Sequence, residues 1–176
     1  IGLVMIREVE VEIGGQRIDR QFGEWLVIWS ELTVPAGQQD GYAEMTGNTL
    51  DMFGPQMGSL AETLPAKQLY IPLQFWFNRN YGLALPLIAL QYHEVKINVE
   101  LRPLSELLIE TDDEDQKVQT LSATYSLTSC SLWIDYIYLD TDERRRFDQV
   151  SHEYLIEQLQ FTGEETITST NNKVRL

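Results

Sequence analysis

One cysteine, two histidines and 13 cationic side chains against 27 acidic ones show what this 176-residue chain is short of. A lone Cys130 has no partner for an internal disulfide, so no disulfide framework staples the fold and a reducing compartment fits. The formal net charge of -14 has the wrong sign for gripping a polyphosphate, which takes clustered Lys and Arg. Direct nucleic-acid binding is therefore not expected, and partners should be proteins. No apolar run reaches the ~18 residues that a membrane-spanning helix needs, no export signal is visible at the start of the chain, and no Asn-x-Ser/Thr acceptor for N-glycosylation occurs.

Reactive constellations are equally scarce. His93 and His152 stand far apart and outside any HxH or HExxH spacing; each has an adjacent acid, Glu94 or Glu153, which on a strand points to the opposite face. Cys130 lies between Ser129 and Ser131, with no neighbouring cation to lower its pKa, and reads as a buried, inert thiol. Asp112, Asp113, Glu114 and Asp115 lack the spaced ligand pattern that wraps one Ca²⁺ and read as a solvated loop. Gly14-Gly15 is followed by a strand pattern, not the helix a phosphate loop requires. No catalytic residue, cofactor or metal site is assigned, and the chain reads as a non-enzyme.

What is there is β-pattern. Val9, Val11 and Ile13 alternate with Glu8, Glu10 and Glu12, and Gly14 and Gly15 supply the two positive-φ positions of a hairpin turn. A two-residue loop pairs Ile13 with Gln16, Glu12 with Arg17 and Val11 with Ile18; the next pair, Glu10 with Asp19, is repulsive unless a cation such as Arg17 offsets it. Trp25, Ile28, Trp29 and Leu32 fall at helical spacing, predicting a helix over 23–32 with its tryptophans in the core. Residues 36–67 read as a long loop. Leu69, Ile71, Leu73, Phe75 and Phe77 alternate as a strand, a polar loop follows over 78–82, and Val95, Ile97, Val99 and Leu101 form a half-buried strand stopped by Pro103.

Beyond an acidic loop over 110–117 and a weaker strand over 118–127, residues 131–139 read as a strand apolar on both faces. Leu132, Ile134, Tyr136 and Tyr138 lie on one side, Trp133, Ile137 and Leu139 on the other, so covers on both sides are expected. Asp140 caps a short helix whose Arg144, Arg145 and Arg146 make a salt-bridged face or, in the functional version, an ion-pair network between subunits or domains. A strand over 154–161 and a polar linker over 168–172 close the pass. The pattern gives an all-β, antiparallel sandwich with short helices in its loops, and leaves jelly-roll, lectin and immunoglobulin topologies open.

Three blocks, IREVEVEIGGQRIDRQFGEWLVIWSELTVP, LYIPLQFWFNRNYGLALPLIALQYHEVKINVELRPLSEL and SLWIDYIYLDTDERRRFDQVSHEYLIEQLQFTGEE, resemble the major capsid proteins of nucleocytoplasmic large DNA viruses. They cover about two thirds of the chain in the family's order. The resemblance implies a structural protein of the virion: a double jelly roll that trimerises into pseudo-hexameric capsomers and tiles an icosahedral capsid, assembled in the host cytoplasm. Implied partners are further copies of itself, neighbouring capsomers and minor capsid proteins, with an inner viral membrane nearby but not penetrated.

Opening on Ile1 and ending on the alternating KVRL, the chain is expected to be an internal fragment. Residues 1–139 would be the later strands of a first jelly roll, 140–172 a connector, and 173–176 the start of a second. Trp133, Tyr136 and Arg144 to Arg146 are the interface candidates, since aromatics and arginine anchor such contacts. The rival readings are a lectin-like, carbohydrate-binding jelly-roll module, and a cupin-type enzyme whose histidine and carboxylate cluster this chain lacks.

Overall fold

The computed structural model describes residues 1–52, 66–108, 110–111, 118–119 and 126–163. A four-residue turn of helix, α1 (Gly2–Met5), leads into β1 (Ile6–Ile13), which turns back through Gly14 and Gly15 into β2 (Gln16–Phe22). The two glycines take φ values of 60° and 81°, a region in which a side chain crowds the following backbone. Helix α2 (Gly23–Thr33) follows at once, and a Cβ at Gly23 would collide with the Ile6 carbonyl.

The hairpin is not regular. Ile13 faces Gln16 and Glu12 faces Arg17, but Val11 then faces Asp19, so Ile18 is an extra residue, a β-bulge. A regular register would set Glu10 against Asp19 and turn Arg20 inward beside Val9. The bulge sends Arg20 to the outer face, opposite Glu10 and 3.5 Å from the Glu8 carboxylate, while Arg17 reaches Glu10 at 3.1 Å. Asp19 and Gln21 turn inward in exchange, and both are buried.

Helix α3 (Gln39–Thr46) lies within the stretch expected to be loop, ended by Gly47 at φ 71°. Its sequence, QDGYAEMT, offers few apolar positions, so periodicity misses it. Residues 69–77 do not form a strand. They run extended to Phe75 without a ladder and enter α4 (Trp76–Arg79), where the Asn78 side chain accepts a 3.2 Å bond from the Phe75 amide. Phe75 and Trp76 are both buried, which strict alternation forbids.

Strand β3 (Val95–Leu101) pairs antiparallel with β1, giving a sheet of order β2-β1-β3. Helix α5 (Leu104–Leu107) follows, then a two-residue pair, β4 (Glu110–Thr111) with β5 (Val118–Gln119). Residues 112–117 and 120–125, and with them the acidic cluster and most of the weak strand, lie outside the described residues, as do 164–176 with the linker and KVRL. Helix α6 (Thr141–Gln149) is the last element, and Asp140 caps it: its Oδ1 accepts from the Glu143 amide at 2.9 Å while Glu143 Oε2 accepts from the Asp140 amide.

One face of the sheet makes the core. Ile6, Val9 and Val11 pack with Leu3, Leu26, Phe75 and Trp76, and Phe75 stacks on Phe77 at 5.5 Å. The other face carries Glu8, Glu10 and Glu12 among Arg17, Arg20 and Lys96. Helix α2 forms where spacing predicts it but buries Gly23, Leu26 and Ser30, leaving Ile28 and Leu32 exposed. Its tryptophans are half-buried, not core: Trp25 and Trp29 pair at 5.6 Å, and the Arg79 guanidinium sits 4.6 Å above Trp29. The described residues therefore form a small antiparallel sheet with helices, not a closed two-sheet sandwich. Residues 131–139 and 154–161, both expected to be strands, join no ladder among the described residues.

Candidate assembly surface

Residues 131–139 carry the site. They are neither helix nor strand, and their main-chain groups form no main-chain hydrogen bond with another described residue. Apolar side chains project from both sides: Trp133 is 80% exposed and Tyr138 92%, with Leu132, Ile134, Tyr136 and Ile137 each more than half exposed. The two covers that such a strand requires are absent among the described residues, which is why the sequence reads as buried and the structure shows it bare. Cys130, expected to be buried, is exposed at the start of the same strip.

Arg144, Arg145 and Arg146 follow on α6, all exposed, with Arg145 3.7 Å from Asp142. No hydrogen bond or ion pair among the described residues joins this turn to Trp133 or Tyr136. What links strip to helix is a hollow of about 310 Å³ lined by Leu139, Glu143, Arg146, Phe147 and His152. There His152 stacks on Phe147 at 4.7 Å. His93 sits at the hairpin turn, its ring packed on Gly14 and the main chain held by a 2.9 Å bond from the Gly14 amide to the Glu94 carbonyl.

Chemistry has little to build on. Among the described residues no group of His, Cys, Asp or Glu side chains is placed to hold a metal ion, and no helix is long and apolar enough to cross a membrane. A second cleft, about 330 Å³, lies between α1, α2 and α3 and is lined by Leu3, Val4, Val27, Ser30, Tyr42 and Thr46 among others. Burial pushes the Tyr42 phenol above its ordinary pKa, and no nucleophile–base pair faces it. Near it Lys67 ties α3 to the following turn, 3.1 Å from Glu44 and 3.5 Å from Asp51.

The inward placement of Asp19 and Gln21, the polar pair inside the sheet, does not follow from the regular hairpin register. A signal was present: the Glu10/Asp19 repulsion in the regular register marked where a bulge would relieve the hairpin.

The family model described as "Major capsid protein N-terminus" matches residues 1–140. The major capsid protein of Pyramimonas orientalis virus is 53% identical over 175 residues, covering 99% of this chain and 40% of that protein. That of Chrysochromulina ericina virus is 50% identical over 201 residues, covering 99% of this chain and 34% of that protein. Among solved structures, a quasi-atomic model of the PBCV-1 virus capsid superposes with a TM-score of 0.66 at 39% identity, over 95% of this chain and 37% of that one. The chain thus spans 34–40% of the length of these relatives.

Proposed function

The chain belongs to the family of major capsid proteins of large DNA viruses, a family of structural, non-enzymatic proteins, and from that membership we propose that it is part of a shell subunit that acts by assembly alone. In this reading residues 1–139 contribute strands to a first jelly roll, 140–172 form a connector, and 173–176 open a second jelly roll. The whole subunit trimerises into a pseudo-hexameric capsomer of an icosahedral virion, meeting its own copies, neighbouring capsomers and minor capsid proteins. Threefold assembly is a ring of head-to-tail contacts, so two different faces of the subunit must be complementary.

The observation that carries this reading is the bare strip. A segment whose main chain has no partner among the described residues, and whose apolar side chains lie bare, is unstable in water until strands and a second layer cover it. Trp133, Tyr136 and the Arg144 to Arg146 turn are the anchors proposed for contacts around it.

The lectin-like alternative has the exposed Trp133, Tyr136 and Tyr138 in its favour, since aromatic faces can stack on sugar rings. It leaves Leu132, Ile134 and Ile137 without a purpose. A sugar site presents aromatics on one face of a finished sheet, and here the aliphatics are bare too.

Analytical ultracentrifugation of the chain restored to its natural flanks tests the proposal. A stable trimer is expected. A clean monomer at micromolar concentration would overturn the capsomer reading, and a glycan-binding screen would then decide for the lectin.

A further inference from the structure

Three features converge on the bulged strand β2. Asp19, 4% exposed, has no ion-pair partner among the described residues; its oxygens accept from the Arg20 amide at 2.9 Å, the Gln21 side chain at 3.3 Å and the Leu159 amide at 3.1 Å. The Gln158 side chain returns the contact, donating to the Ile18 carbonyl, which the bulge has taken out of the β1 ladder. Around this pair Phe161 packs on Phe22 at 4.7 Å, Glu157 meets Arg79 at 2.9 Å, and Ile156 packs against the core. Gln21 also donates to the Gln74 carbonyl at 3.0 Å, tying the extended run before α4 to the same strand.

We infer that residues 156–161 form a clasp that closes the edge of β2 through side chains in place of a ladder, with Asp19 as the residue that fixes it. The physics favours this use of a buried acid. A buried carboxylate whose oxygens accept from main-chain and side-chain N–H donors is satisfied without a salt bridge, and losing it leaves the Leu159 amide without its acceptor and the Gln21 side chain with only the Gln74 carbonyl. An edge strand with open N–H and C=O groups invites pairing with foreign strands, and bulges and covering segments are how proteins blunt it. Here the bulge supplies the free carbonyl and the inward acid, and the chain after α6 supplies the cover. Strand pairing is thereby steered away from β2, and the direction in which the polypeptide leaves α6 is fixed by the sheet.

Amide hydrogen exchange on the chain with its natural flanks tests the clasp. Asp19→Ala should speed exchange of the Leu159 amide at least tenfold while the β1 amides of Val9 and Val11 change less than twofold. Asp19→Asn, which keeps an acceptor oxygen, should raise it less than threefold. Because removing a buried acid can unfold the sheet, Gln158→Ala at an exposed position provides the independent arm, and it too should speed Leu159 alone. A Leu159 amide already unprotected in the wild type, unchanged by Asp19→Ala and Gln158→Ala, or sped up only together with the whole sheet, would overturn the clasp.

Discussion

Gly14 and Gly15 share a hairpin turn and a positive φ, yet their surroundings differ. A side chain at Gly14 would press on the His93 ring, whereas nothing lies within 4 Å of the corresponding position at Gly15. Both substitutions carry the left-handed penalty of about 1–2 kcal/mol, and only the first adds a clash. Gly14→Ala should therefore destabilise the chain more than Gly15→Ala, read as a larger drop in the urea midpoint at constant m; equal drops would mean that His93 yields freely.

Lys67 gives a second residue-scale test, this time in pH. The hydrogen bond to Glu44, helped by the charge of Asp51, raises its pKa above 10.5, while the Thr49 hydroxyl and then the Lys67 ammonium lower that of Asp51 below 3.8. A raised cation stabilises the fold fully below its unfolded pKa and loses that contribution as pH climbs past the folded value. A lowered acid stabilises above its unfolded pKa and loses its contribution as pH falls through the folded value. The difference in Tm between wild type and Lys67→Met should accordingly be greatest on the plateau between 3.8 and 10.5 and shrink beyond either end. A difference that stays the same beyond both ends would show that the substitution acts through packing.

At the scale of elements, α6 was legible because its signals are local: an Asp cap, an acid three residues on, arginines in the later turns. Exposed along its length, it depends on that cap more than a packed helix does, so Asp140→Ala should cost about 1 kcal/mol. The loss should appear as faster amide exchange over 141–149 with the sheet unaffected; unchanged exchange would show that α6 is held by the Leu139–Phe147–His152 hollow instead. Strands β1 and β3 were legible from alternation, and α2 from its spacing, though its buried face was not, since Leu26 and Ser30 rather than Ile28 and Leu32 are buried. Residues 69–77 show the limit. Alternation says which side chains share a side, but a strand also needs a neighbour for its main chain, and the Asn78 cap turns Trp76 into helix before one is met. The bulge at Ile18 was hidden for a related reason: it is the joint optimum of charges on two strands and of a segment about 140 positions away.

For the whole molecule, the strip over 131–139 carries the argument. Its need for cover was legible, because two apolar faces in one nine-residue run demand it; who covers it was not, because a sequence names no neighbour. Within the described residues it remains bare, and the 176-residue chain alone should associate nonspecifically through it. Ile134 and Ile137 point to opposite sides of the strip, both more than half exposed. Lysine at both positions costs little in the isolated chain, since each charge stays in water, and gives like-charge repulsion and unpaired burial wherever the strip is covered. The double variant Ile134→Lys/Ile137→Lys should make the isolated chain more soluble by light scattering, and the same pair in the chain with its natural flanks should abolish the trimer in the ultracentrifuge. The two readouts must move in opposite directions if the proposed assembly buries the surface that is exposed in the isolated chain. An isolated chain that already sediments as a sharp, cooperatively melting monomer, or a flanked variant that trimerises as the wild type does, would take the strip out of assembly.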